Sequence, residues 1–246
     1  PGNIGNIGNI KKVVDLAKEK NIPIRIGVNS GSLDKSISSN GKHSAKDLVE
    51  SAKKHVKILE DLDFKNIVIS IKGSSVLETI EANRIAANTF DYPLHLGITE
   101  AGFKDISLIR SSAGLSPLLL EGIGDTIRIS ISGSPSDEII AAKRLLHDLG
   151  LYPNYPTLIS CPTCGRTMVD ITKLANEVMK YLEYINKPIT VAIMGCIVNG
   201  PGEAKTADIG VKKGKNEYVI FKKDTIIKKV SEDMILETLI DEINKI

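Results

Sequence analysis

The sequence predicts an α/β protein built from the C-terminal half of an eight-stranded (β/α) barrel, followed by a small α+β domain. Three observations predict it. Four short β-branched runs are each followed by a stretch with helical periodicity, the pattern of βα units and a parallel sheet. Each run has one aliphatic and one polar face, whereas a sheet covered by helices on both sides would be apolar on both. After Tyr152 the chain changes to proline-punctuated segments that carry all three cysteines.

The chain opens at Pro1 without an initiator methionine and runs into three copies of Asn-Ile, at positions 3, 6 and 9, the first two followed by glycine. This reads as a strand-to-helix loop entered halfway, and the start as truncated or processed. Strands are predicted over 22–29, 66–72, 93–99 and 126–132. Leu48, Val49, Ala52, Val56 and Leu59 form a core-facing helical stripe between the first two, and Ile139, Ile140, Leu145 and Leu146 form another after the fourth. Side chains alternate across a strand with period two. One face then carries Ile24, Ile26 and Val28, with Ile67, Ile69, Ile71, Leu94, Leu96, Ile98, Ile127, Ile129 and Ile131. The other carries Arg25, Gly27 and Asn29, then Val68, Ser70 and Lys72, then His95, Gly97 and Thr99, then Arg128, Ser130 and Ser132. A barrel reconciles the two faces by turning the aliphatic one under its helices and the polar one inward. Barrel interiors are ordinarily filled by Val, Ile and Leu, so this one calls for a polar, anionic occupant. Four βα units make half a barrel, assigned to residues 1–152.

Pro153, Asn154 and Pro156 punctuate a linker into a second domain over 153–246. It is predicted to hold a strand at 157–160, a helix at 170–184, a strand at 189–194, a strand pair at 207–211 and 218–221, and a closing helix at 233–246. The 246 residues suffice for one large or two smaller cores. With 32 Lys and Arg against 30 Asp and Glu, no broad basic field exists to hold nucleic acid or an acidic membrane. No apolar run reaches the roughly 18 to 20 residues of a membrane span, and the expectation is a soluble cytoplasmic protein. An odd, small number of cysteines suits a reducing compartment and disfavours a disulfide framework.

Cys161-Pro-Thr-Cys164 follows a predicted strand, and Cys196 follows another in Met194-Gly-Cys-Ile-Val-Asn-Gly-Pro-Gly-Glu203. A Cys-x-x-Cys can be a redox pair, half a zinc site or two structural thiols. Three thiols at strand ends beside glycine-rich loops favour one shared metal. Structural zinc wants four Cys or His ligands, yet His43, His55, His95 and His147 all lie outside this domain. A fourth ligand would then be an oxygen, such as that of Glu203, or an open position. Soft thiolates select iron-sulfur clusters as readily as zinc. In the barrel half, Arg25, Lys72 and Arg128, with Asn29, Ser30, Ser70, Thr99 and Ser130, suit a phosphorylated ligand at the C-terminal ends of the strands. Glu100 follows a strand end and is placed like a general acid or an orienting group for a substrate hydroxyl; an ion pair with Arg128 or Lys72 is the plainer alternative.

Several stretches together resemble the 4-hydroxy-3-methylbut-2-enyl diphosphate synthase family of isoprenoid biosynthesis. They are Pro1-Gly-Asn-Ile-Gly5, Arg25-Ile-Gly-Val-Asn-Ser-Gly-Ser-Leu33, Ser70-Ile-Lys-Gly-Ser74, Gly97-Ile-Thr-Glu-Ala-Gly102, Gly122-Ile-Gly-Asp-Thr-Ile-Arg128, Cys161-Pro-Thr-Cys-Gly-Arg166 and Met194-Gly-Cys-Ile-Val-Asn-Gly-Pro-Gly-Glu-Ala204. The resemblance implies a TIM-type barrel joined to a sulfite-reductase-like domain that holds a 4Fe-4S cluster on Cys161, Cys164, Cys196 and Glu203. It implies that Arg25, Asn29, Lys72, Arg128 and Ser130 bind the substrate diphosphate, that Glu100 serves a substrate hydroxyl, and that Asn199 neighbours the cluster. Ser30 and Thr99 join the expected substrate contacts, and Glu203 joins Glu100 as a catalytic group through release of its iron. The implied reaction opens the ring of a cyclic diphosphate reductively and expels water, with electrons from ferredoxin or flavodoxin, in a homodimer whose cluster domain closes over the partner's barrel. Family members carry about a hundred further residues at the front, and the repeated Asn-Ile-Gly exceeds their single copy. A zinc-stabilised barrel enzyme acting on a phosphorylated sugar and a non-catalytic cluster-carrying fragment are the competing readings.

Overall fold

The structure, a computed structural model, describes residues 4–33, 44–73, 75–161, 171–195, 202, 204–213, 217–223 and 225–246. The chain divides into two compact units, Pro1–Leu149 and Gly150–Ile246.

The first unit runs α1 (Ile7–Lys20), β1 (Ile24–Asn29), a 3-10 turn (Ser30–Ser32), α2 (Ala45–Asp61), β2 (Ile67–Lys72), α3 (Val76–Ala87), β3 (His95–Gly97), α4 (Lys104–Leu120), β4 (Thr126–Arg128) and α5 (Pro135–Asp148). The Asn-Ile repeats, expected as a loop, run into helix: residues 4–6 precede α1 and residues 7–10 form its start. The Asn6 side chain accepts a hydrogen bond from Asn9 N, which caps α1 and lets the third copy fall inside it. Ser44 and Asp47 cap α2 reciprocally, and Ser75 caps α3. β1 and β2 pair in parallel from Ile24 opposite Ile67 to Asn29 opposite Lys72. β3 and β4 pair in parallel from His95 opposite Thr126 to Gly97 opposite Arg128, and a parallel bridge between Ile69 and Leu94 links the two pairs. The strands therefore lie in sequence order.

β3 and β4 are shorter than the predicted 93–99 and 126–132. Pro93 has no N–H to give to a ladder, and Glu100, at φ 53°, turns the chain away after β3. Beyond β4, Ile131 N donates to the Glu138 carboxylate and Ser132 N to Gly102 O, so these donors serve the turns. The aliphatic face packs under the helices as expected: Ile26, Val28, Ile69, Ile71, Leu96 and Ile129 are buried with Leu48, Ala52, Leu59, Leu115 and Leu118. Ile139 departs from its expected core position and is 59% exposed. Ala141 holds the inner face of α5, and a residue two positions away lies about 200° round the helix.

The second unit runs β5 (Thr157–Ser160), α6 (Thr172–Leu182), β6 (Thr190–Met194), β7 (Ile209–Lys213), β8 (Tyr218–Lys222), β9 (Thr225–Val230) and α7 (Ile235–Asn244). Its sheet has the order β5-β6-β7-β8-β9, parallel through β7 and antiparallel beyond. Val191, Ile193, Ile209, Val211 and Ile220 bury one face against Val178, Leu182, Leu239 and Ile243 of α6 and α7. Ala192, Met194 and Phe221 form the other face with Ala204 and Ala207. Gly210 belongs to that face because a Cβ there would run into the Phe221 ring and lie 2.8 Å from Ala192 O. Among the described residues no helix is long and apolar enough to cross a membrane.

Candidate functional site

Strand register decides which polar residues meet. The Ile69–Leu94 bridge continues the β1–β2 rows into β3–β4, so Gly27, Ser70, His95 and Thr126 form one row. Asn29, Lys72, Gly97 and Arg128 form the next, on the same face. Arg25 stands one step earlier, opposite Val68. The Lys72 side chain is only 7% exposed, and its ammonium donates to Ser70 Oγ at 2.9 Å. Its stem lies across Gly97, where a Cβ would sit 3.2 Å from Lys72 Cε and 3.1 Å from Arg128 O. Glycine at 97 is what lets a lysine lie flat over β3.

The row is electrostatically strained. Burial first, then Arg128 and Arg25, push the Lys72 ammonium down to about 8. Burial, then Arg25, Lys72 and Arg128, push His95 down to about 4, so its imidazole is neutral at pH 7. His95 Nδ1 lies 2.8 Å from Thr126 Oγ1. Among the described residues none of the three cations is paired with a carboxylate. Three cations gathered on one face suit a multiply charged anion.

The other expected residues gather at the same strand ends. Asn29 closes β1 opposite Lys72. Ser30 is buried, with its hydroxyl donating to Glu78 Oε2 at 3.1 Å, so it is engaged with a carboxylate. Thr99 is half-buried and Glu100 exposed just past β3; the Arg110 guanidinium donates to the Glu100 carbonyl at 2.9 Å and pins the turn. Glu100 makes no ion pair with Lys72 or Arg128, so the plainer alternative for it is absent among the described residues. Ser130 is half-buried past β4, and its carbonyl accepts from Ser107 Oγ at 2.6 Å. Sequence reasoning assigned no role to His95, Thr126 or Gly97. The signal for His95 was its place on the polar parity of β3.

In the second unit Cys161 follows β5 directly, and its backbone N donates to Ile193 O at 3.2 Å, carrying the β5–β6 ladder one step further. Its thiol is in no disulfide and lies half-buried at the end of the sheet, packed against both the helix-covered cluster and the Ala192, Met194 and Phe221 face. Cys164, Cys196, Asn199 and Glu203 lie outside the described residues. In sequence Cys196 comes two residues after the last residue of β6, the strand that neighbours β5 in parallel. A thiol at a strand end against an apolar face, with no histidine in the unit, is the donor chemistry that suits an iron-sulfur cluster.

Comparison with known proteins gives both units a family. Residues 1–143 match the GcpE TIM-barrel domain, and residues 157–245 match the GcpE protein C-terminal domain. The chain is 54% identical over 246 residues to the 4-hydroxy-3-methylbut-2-en-1-yl diphosphate synthase (flavodoxin) of Caldanaerobacter subterraneus subsp. tengcongensis, covering 100% of this chain and 69% of that protein. Against the protein of the same name from Clostridium acetobutylicum it is 54% identical over 245 residues, 99% of this chain and 70% of the relative. For that of Bacillus pumilus the figures are 52% over 247 residues, 100% and 67%. With both units matched and identity above half along the whole chain, this protein belongs to the GcpE family.

Proposed function

We propose that this chain acts in isoprenoid precursor synthesis as an oxidoreductase, opening the ring of 2-C-methyl-D-erythritol 2,4-cyclodiphosphate and removing an oxygen as water to give 4-hydroxy-3-methylbut-2-enyl diphosphate. The product is the one its relatives are named for. The observation that carries the reading is the gathering of Arg25, Lys72 and Arg128 on one face with no carboxylate partner among the described residues.

Each residue then has a chemical task. Arg25 and Arg128 offer guanidinium forks to phosphoryl oxygens, and Lys72 a point charge between them. Asn29, Thr99 and Ser130 supply hydrogen bonds around the same strand ends, as barrel sites are built, and Ser30 joins them when its hydroxyl turns from Glu78 to the ligand. Neutralising the diphosphate holds the carbon skeleton in one orientation, which is most of what a protein can contribute to such a step. Glu100, on the turn pinned by Arg110, holds a substrate hydroxyl and can carry its proton at a carboxylate oxygen.

Cys161, Cys164, Cys196 and Glu203 would hold a 4Fe-4S cluster, with Asn199 as its neighbour. Bound there, the cluster supplies electrons one at a time. The net reaction consumes two electrons, and flavodoxin, printed in the relatives' names, or a ferredoxin would deliver them. In this reading the barrel portion, 1–152, with its four parallel strands in sequence order, is the C-terminal half of a TIM-type barrel that binds substrate. The mixed five-stranded sheet with both helices on one face, in 153–246, is the sulfite-reductase-like cluster domain. The family resemblance also supports a homodimer.

The test is phosphorus NMR of the cyclic diphosphate with reduced flavodoxin and the anaerobically prepared chain. Conversion to the linear diphosphate is expected, reduced about tenfold to a hundredfold in Lys72→Met, on the scale of losing a charge-assisted contact. Unchanged turnover in Lys72→Met would overturn the assignment of the anion site.

A further inference from the structure

We propose that His95 is a further substrate-binding residue of this site, a neutral imidazole whose Nε2–H donates to an oxygen of the anionic ligand. This rests on the diphosphate reading above and adds to it a residue that the sequence did not suggest.

His95 is 7% exposed, and its Nε2 is buried without a hydrogen-bond partner. Buried polar atoms are nearly always satisfied, and an orphaned one marks a missing partner. The ring stands on the polar face of β3, in the row of Ser70 and Thr126 and one step before the row of Lys72, Gly97 and Arg128. Lys72 reaches back to Ser70 Oγ, so its ammonium lies toward the histidine row. The groups around the imidazole are therefore Arg25 from β1, Ser70 and Lys72 from β2, and Thr126 and Arg128 from β4.

The chemistry of those neighbours selects the tautomer. Were Nε2 a bare acceptor, one of the three cations beside it would be drawn to donate to it. None does: the Lys72 ammonium donates a hydrogen bond to Ser70 Oγ, and Nε2 has no partner. Thr126 Oγ1 lies 2.8 Å from Nδ1, and its hydroxyl can rotate to donate there; with Nδ1 as the acceptor, the ring proton sits on Nε2. A fourth cation in this cluster would raise the repulsion that already weakens the hold of Lys72 on its proton. A neutral N–H adds a donor for the anion without that charge. The buried ring thus reads a phosphoryl oxygen in the site and adds a directional contact to the charges of the three cations.

The experiment is titration of the chain with inorganic pyrophosphate at pH 7.5, read by calorimetry and by proton–nitrogen correlation of labelled imidazoles. Wild type, Lys72→Met, His95→Phe and His95→Gln are compared, and His95→Phe assigns the resonance. Pyrophosphate is expected to move the Nε2 signal of His95. Its affinity is expected to fall about tenfold to a hundredfold in His95→Phe, the range of one hydrogen bond to a charged group, and to recover in part in His95→Gln, whose amide restores a donor. Lys72-dependent binding with a stationary Nε2 signal and an unaffected His95→Phe would overturn this role and leave the diphosphate reading standing. No binding to wild type, or equal binding to Lys72→Met, would remove both.

Discussion

Lys72 is buried between Ser70 and Gly97, with Arg25 and Arg128 as its electrostatic neighbours, and its ammonium is held to about 8 in place of 10.5. Between those values the unfolded chain binds more protons than the folded one. The stability that neutral Lys72 allows is therefore full above 10.5 and is lost as pH falls to about 8. At neutral pH the ligand-free protein bears the whole penalty. Lys72→Met should accordingly stabilise the ligand-free chain, by on the order of 1 to 3 kcal/mol in urea denaturation, while removing pyrophosphate binding. An anion restores the charge, so pyrophosphate binding should take up protons above pH 8 and weaken as pH rises, measurable by calorimetry in two buffers of different ionisation heat. Gly97→Ala should displace Lys72 and weaken pyrophosphate binding by about tenfold, since the new methyl would press on Lys72 Cε and Arg128 O. The three cations were legible in the sequence because strand parity alone puts them on one face. The part played by His95 was not, because its bond to Thr126 depends on the β3–β4 register, which parity does not set.

At the scale of elements, serine caps and aliphatic runs could be read directly, whereas strand ends could not. β3 stops where Glu100 turns at positive φ, and β4 stops because its later N–H groups serve Glu138 and Gly102. β9 was missed because its Thr-Ile-Ile-Lys-Lys-Val run is largely exposed, has no clean alternation and follows a turn without glycine, in which Lys223 takes φ 50°. That strand is tied to α7 by Glu242, whose buried carboxylate meets Lys245 at 2.7 Å, Lys228 at 2.9 Å and Lys222 at 3.7 Å. Hydrogen bonds from Lys245 and Lys228 hold Glu242 down to about 2. The unfolded chain binds more protons between 2 and 4.5, so the contribution is full above pH 4.5 and lost as pH falls toward 2. The lysines are largely in solvent, which limits its size. Glu242→Gln should destabilise the protein by about 1 kcal/mol at pH 7, with the difference shrinking in acid, as thermal melts at pH 7 and pH 3 would show.

For the whole molecule, the chain divides into two compact units between Leu149 and Gly150, each with its own core. The cation face belongs to the first unit and the thiol at Cys161 to the second. The proposed cluster donors are candidates on sequence grounds: cysteine spacing and the glycine-rich run to Glu203 are one-dimensional signals. Whether they meet is a matter of tertiary structure that no periodicity describes, and only Cys161 of the four lies among the described residues. The most direct test of a cluster-bearing reductase is therefore the iron, sulfide and zinc content of the anaerobically purified chain, with its visible spectrum, beside a Cys161→Ser variant. About four irons and four sulfides per chain, lost in the variant, are expected for a 4Fe-4S protein; a single zinc, or no metal in a protein that still binds pyrophosphate, would contradict it.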